Sequence, residues 1–193
     1  MFMNKIIIIT MAAVTGIGFA ACAQDRGGNS MQIENKPLVV YFSATGTTAQ
    51  AARTIADVTG GALYEIEPEH AYTSDDLDWN DRQSRSSVEM NDPKARPALK
   101  PTKADIGDYD VIFIGYPIWW NQAPRVVNTF IESHDLKGRK LVPFATSGGS
   151  SITNSVKELR KAYPELEWQD GKLLNGTGRN AVWNWASEVI KGR

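Results

Sequence analysis

Hydrophobic positions change their period repeatedly along the chain. Leu38 to Phe42 is a continuous apolar run, as expected for a central parallel strand buried on both faces. Thr47 to Val58 follows with Ala and Ile at helical spacing, and Gly60-Gly61 ends it. Ala62 to Ile66 predicts a second strand. Val111 to Gly115 is the clearest strand of the chain. After Pro124, the positions Val126, Val127, Phe130 and Ile131 make one apolar helical stripe. Leu141 to Ala145 predicts a fourth strand, and Ile152 to Tyr163 an amphipathic helix stopped by Pro164. Trp168 to Leu174 predicts a weaker fifth strand. Asn180 to Ile190 predicts a last helix, with Val182, Trp183, Trp185 and Ala186 on its apolar side.

Strands interleaved with helices predict an α/β fold, a parallel sheet with helices on both faces. There is no internal repeat and no second domain. The stretch from Glu69 to Asp108 breaks the rhythm. It is polar, holds three prolines and carries Trp79, Arg82 and Arg85. A structureless loop of this length is unusual. The pattern predicts one short helix over Asp76 to Glu89, then an extended, Pro-rich return.

The 193 residues suit one domain, and 42% hydrophobic against 22% charged residues is an ordinary globular balance. The formal charge of -1 gives no reason to expect a nucleic-acid partner. Cys22 is the only cysteine, so intramolecular disulfides, CxxC motifs and multi-cysteine metal sites are excluded. His70 and His134 lie far apart without companion ligands. We read both as surface residues and expect no metal.

The N-terminal segment reads as targeting. Lys5 precedes an apolar run from Ile6 to Ala21, broken only by Thr10, Thr15 and two glycines. It is shorter than the roughly 20 residues that span a bilayer and has the form of a signal-peptide core. The run ends Phe19-Ala20-Ala21-Cys22, which resembles the bacterial lipobox, with Phe19 where leucine is usual. The resemblance implies lipidation of Cys22; the alternative is an ordinary secretory signal cleaved nearby. The division expected is a signal peptide over 1–21, a polar lipidated tether over 22–36, and one domain over 37–193. The mature chain is then exported and held at the cell envelope by a lipid anchor.

Ligands of open parallel sheets bind beyond the carboxyl ends of the strands. Three strand ends carry unusual residues. Ser43-Ala44-Thr45-Gly46-Thr47-Thr48 follows the first strand and opens a helix, offering four hydroxyls and a glycine. Helical N–H groups and the positive end of the helix dipole suit a phosphate there. No lysine lies in the loop, which excludes a Walker A motif. Gly115-Tyr116-Pro117-Ile118-Trp119-Trp120-Asn121 follows the third strand, and adjacent tryptophans at a strand exit are awkward for packing alone. Thr146-Ser147-Gly148-Gly149-Ser150-Ser151 follows the fourth strand, where glycines admit a close ligand and N–H groups can donate.

The first loop resembles the FMN-phosphate loop of flavodoxins, roughly Ser/Thr-x-Thr-Gly-x-Thr after the first strand. The other two loops fall where that family borders the flavin. The resemblance covers Pro37 to Arg193. It implies a three-layer sandwich, a five-stranded parallel sheet in the order 2-1-3-4-5. It implies FMN as cofactor, with Ser43, Ala44, Thr45, Gly46, Thr47 and Thr48 at the phosphate. Pro117, Ile118, Trp119, Trp120 and Asn121 would border the isoalloxazine ring. Thr146, Ser147, Gly148 and Gly149 would meet its pyrimidine edge. One of the two tryptophans stacks on the ring and the other packs. The last loop lacks the tyrosine common in short flavodoxins, so one flavin face is expected to be open, with room for a substrate.

Two further patterns carry less. Gly176 to Ala181 has the form G-x-G-x-x-A, but no strand with an acidic residue follows it, so it reads as a turn and helix cap. Gly148 to Ile152 lacks the second glycine of a G-x-S-x-G elbow. No side chain of the three loops is an obvious acid or base, and we assign no catalytic residue. Three functions stand open: an electron carrier working with a redox partner protein or small acceptor; a small quinone or NAD(P)H-linked FMN reductase, with the open ring face and the Glu69-to-Asp108 excursion forming a substrate pocket; and a flavin-free envelope interaction module.

Overall fold

The computed structural model describes residues 36–101 and 105–192. The signal peptide, Cys22 and all of the tether except Lys36 lie outside the described residues.

Four segments form the body of a six-stranded sheet: β1 (Leu38–Tyr41), β2 (Ala62–Glu65), β3 (Val111–Pro117) and β4 (Lys140–Thr146). They pair in parallel, and with β5 (Glu167–Trp168) at the edge the strand order is β2-β1-β3-β4-β5, as the resemblance implied. Successive side chains of a strand point to opposite faces. Val40, Ile112, Ile114 and Leu141 therefore face one core, with Val126, Phe130 and Leu159 of helices α3 (Arg125–Ser133) and α4 (Thr153–Ala162). Val39, Phe113, Val142 and Phe144 face the other, with Ile55 of α1 (Thr47–Thr59) and Val182 of α5 (Arg179–Lys191). Gly115 is required by this packing, since a Cβ there would lie 2.0 Å from the Phe144 ring.

The single fifth strand expected over Trp168 to Leu174 is instead two short ones, β5 (Glu167–Trp168) and β6 (Lys172–Leu173), both paired with β4. Pro143 explains the split. Leu141 and Ala145 accept from Gln169 and Leu174 on this side of β4, at 2.8 Å each. Residue 143 faces the same way, and proline has no N–H to give. The ladder breaks there, and Arg160 holds the intervening bulge through Trp168 O and Asp170.

The 69–108 excursion also differs from expectation. In place of one helix over 76–89 there is a single 3-10 turn, Asp75–Leu77, and a later helix α2 (Arg85–Asn91). The Asp78 and Asp81 carboxylates accept from the backbone N–H groups of Asn80 and Gln83, at 2.9 and 2.8 Å. Such local bonds compete with a helix. Helix α2 begins only at Ser84, whose hydroxyl accepts from Ser87 N. The return is extended, as expected, and pairs with the chain leaving β2 through Glu69 N to Ala98 O and Lys100 N to Glu67 O. His70 is exposed, but His134 is not a plain surface residue. Its ring packs 4.3 Å from the Phe130 ring and its Nδ1 lies 2.9 Å from Phe130 O.

Candidate functional site

The three singled-out loops leave the carboxyl ends of β1, β3 and β4, which are adjacent in the sheet. Gly46 is the N-cap of α1 with φ 88°, a left-handed conformation costly for other residues. Its N–H is bonded to Ser43 Oγ. No side chain caps the helix and no acidic residue lies in its first turn. The positive end of α1 is thus left uncompensated by the protein, which suits an anion. Thr48 is almost wholly buried, and its hydroxyl meets Thr146 Oγ1 at 2.8 Å. That bond couples the first loop to the third.

The second loop is a two-residue turn. Trp119 N donates to Gln122 O at 3.0 Å and Gln122 N to Trp119 O at 2.9 Å. The residues between them, Trp120 and Asn121, have φ of 46° and 59°. This is the arrangement of a tight hairpin that ordinarily takes Asn or Gly. A tryptophan at its first position is strained, of the kind that concentrates at functional sites. Asn154 Nδ2 of α4 fixes the turn by donating to Asn121 O at 3.0 Å. Trp119 is wedged edge-on against Phe42 and Tyr72, with centroids 5.6 and 5.2 Å away. Trp120 has no such packing and is 42% exposed.

Tyr72 is held by the excursion. Its hydroxyl donates to Glu89, and the Arg85 guanidinium lies 4.0 Å over its ring while bonding Glu89 and His70 O. Burial and then the Glu89 bond push the Tyr72 phenol well above its ordinary value, so it stays neutral. Arg125, buried at the start of α3, donates to Glu89 O and Met90 O at the end of α2. Burial lowers its pKa, and the carbonyl end of α2 is a favourable place for its charge.

Between these elements lies a cavity of about 440 Å³, within the size range of small-molecule sites. Ala44, Thr45, Thr48, Pro117, Ile118, Trp119 and Trp120 line it, as do Leu77, Trp79 and Ser86. No charged side chain is among them. The structure therefore brings the first two loops together. Ser43 lines a smaller neighbouring cleft with Phe42 and Tyr72, while Gly46, Thr47 and Asn121 are exposed beside the main cavity.

The third loop is tied inward instead of offering all its donors. Ser147 N is bonded to Asn175, and Ser147 Oγ accepts from Gly149 N and Ser150 N at 3.1 and 2.7 Å. Ser147, Gly148 and Gly149 are not among the cavity's lining residues. A Cβ added at either glycine would still meet nothing within 4 Å. Sequence reasoning offered the excursion as a pocket wall only for a reductase and assigned none of Leu77, Trp79, Ser86 and Asn175 to the site. Only the odd tryptophan in a polar stretch signalled the first three. The turn-and-cap reading of Gly176 to Ala181 holds, with Gly178 the N-cap of α5. Among the described residues, no cluster of His, Cys, Asp and Glu could hold a metal ion.

A doubly wound parallel sheet, an uncapped helix N-terminus after its first strand and an uncharged aromatic cavity beside it define the flavodoxin-like class of α/β proteins. The flavodoxin family model matches residues 36–189, and the chain belongs to that family. It is similar to a candidate flavoprotein from Bacteroides eggerthii, at 61% identity over 80% of this chain and 98% of that one, with a TM-score of 0.78. A second candidate flavoprotein, from Bacteroides uniformis, is 56% identical over 79% and 98%, with a TM-score of 0.77. A flavoprotein solved in complex with FMN, from Lactobacillus acidophilus, shares the fold at 21% identity over 72% and 93%, with a TM-score of 0.60. None of the curated proteins compared matches the chain.

Proposed function

We propose that the protein binds FMN and transfers electrons at the cell envelope, tethered through a lipidated Cys22. One observation carries the cofactor reading: the uncompensated N-terminus of α1 opens beside an uncharged cavity walled by Trp119 and Trp120. The dianionic phosphate fits the first feature and the planar, apolar ring the second. The FMN complex of the Lactobacillus flavoprotein supports the choice of flavin. Thr45 and the N–H groups opening α1 would hold the phosphate. Thr48 would act mainly by fixing the loop, since its hydroxyl is already bonded to Thr146. When bound, FMN supplies one- or two-electron transfer. The protein's part is to orient the ring, keep water from it and set its potential.

Electron transfer to a protein partner or small acceptor is favoured over an NAD(P)H-linked reductase activity by the lining itself. It contains no acid, base or cation to bind and turn over a charged substrate. The visible spectrum of the purified full-length protein tests this reading. Flavin bands should be present, and anaerobic titration with dithionite should reduce them fully. A colourless protein that takes up no added FMN would leave only a flavin-free interaction module.

A further inference from the structure

The β4–α4 loop contributes no aromatic side chain, and on sequence alone one face of a bound flavin would lie open. The structure supplies an aromatic from elsewhere. Trp79, in the excursion between β2 and β3, lines the same cavity as Trp119 and Trp120 and is 73% exposed. Folding alone gives no reason to hold an indole in water. Its backbone is nevertheless fixed on both sides. Thr73 N and Oγ1 each donate to the Asp76 carboxylate at 2.9 Å, which closes the turn before it. Asp78 then accepts from Asn80 N at 2.9 Å, and Asp81 N from the following turn donates to Asp78 O at 3.2 Å. Leu77 and Ser86, on either side of it in the chain, also line the cavity. The excursion is itself pinned to the body by Arg125, Arg96 and the strand-like pairing of its return. The indole is thus presented to the cavity by a built support, with its own surface still uncovered.

We infer that Trp79 is a second wall for the flavin, covering the face that the β4–α4 loop leaves bare. The inference rests on FMN occupying this cavity. It narrows the function of the site. Hydride transfer from a dihydronicotinamide needs its ring laid face-to-face on the flavin. A flavin held between the Trp119-Trp120 turn and Trp79, which line one cavity, would have no face free for that stacking. Single-electron transfer needs no such stacking, so the site suits a carrier over a nicotinamide-linked reductase.

The test compares the wild-type holoprotein with Trp79→Ala and Trp79→Phe. FMN affinity is read by titration, ring accessibility by iodide quenching of bound-flavin fluorescence, and hydride access by anaerobic mixing with NADH. Trp79→Ala should weaken FMN about three- to tenfold, the scale of one aromatic contact. It should raise iodide quenching and speed reduction by NADH, and Trp79→Phe should restore most of the screening. Because the indole is exposed, circular dichroism should be unchanged in both variants. Wild-type flavin as accessible to iodide as that of Trp79→Ala, or reduced by NADH as fast as free FMN, overturns the second wall while leaving FMN binding intact. A wild-type protein that binds no FMN overturns the reading beneath it instead.

Discussion

Adjacent Trp119 and Trp120 are chemically alike, and the chain gives no way to rank them. Their backbone and neighbours separate them. Trp119 is locked between Phe42 and Tyr72, so Trp119→Ala should cost about 3 kcal/mol of folding stability in urea unfolding, as large aromatic truncations do. Trp120 sits at φ 46° with little packing. Replacing it by glycine removes both the side chain and the left-handed strain, worth about 1 kcal/mol or more. Trp120→Gly should therefore leave the unfolding midpoint of the apoprotein unchanged or higher while weakening FMN. A loss of stability as large as that of Trp119→Ala would show that Trp120 is a packing residue. Thr48 and Thr146 give a matching case, because their hydroxyls satisfy one another in a buried position. Thr48→Val should destabilise the fold by about 1–3 kcal/mol, the cost of an unpaired buried hydroxyl. A conformationally intact Thr48→Val protein with unchanged stability would refute that pairing.

At the scale of elements, what was legible followed hydrophobic period. β1, β3 and β4 were visible because they are buried on both faces and read as unbroken apolar runs. Two misreadings came from chemistry that period does not encode. Pro143 cuts the fifth strand in two from the neighbouring strand, a cause that lies about 25 residues away from its effect. The aspartates at 78 and 81 divert the excursion from one helix into turns. The same excursion hid Leu77, Trp79 and Ser86 from the expected site, because long-range anchors place them. One anchor is titratable. Glu132 of α3 accepts from Arg96 Nε and Nη2 at 2.8 and 2.7 Å and from the Tyr163 hydroxyl at 2.7 Å. The Arg96 bond holds its carboxyl below the usual range. A lowered folded pKa stabilises above the ordinary carboxylate value, and the contribution is lost as pH falls through the lowered one. Glu132→Gln should thus lower stability at neutral pH and flatten its acid-side decline. An acid limb identical to wild type would show that the pair is too exposed to matter.

For the whole molecule, the sheet order and the meeting of the β1 and β3 loops at its carboxyl edge were readable from chain order and strand-end residues. The tie of the β4 loop to Asn175 was not, because it depends on where a later segment packs. The proposed envelope location rests on Cys22 and the apolar run before it. Cys22→Ser should move the protein from the membrane fraction to the soluble one, and an equally membrane-bound variant would remove the anchor from the account. Among the described residues, no helix is long and apolar enough to cross a membrane.

The central claim is that α1 receives a phosphate while the cavity receives the ring, and paired titrations of the purified full-length protein with FMN and riboflavin test it most directly. Each bond to a charged phosphate is worth about 1.5–3 kcal/mol. FMN should therefore bind at least about tenfold more tightly than riboflavin, and both should quench tryptophan fluorescence. Equal affinity for the two ligands, or binding of neither, would contradict the account.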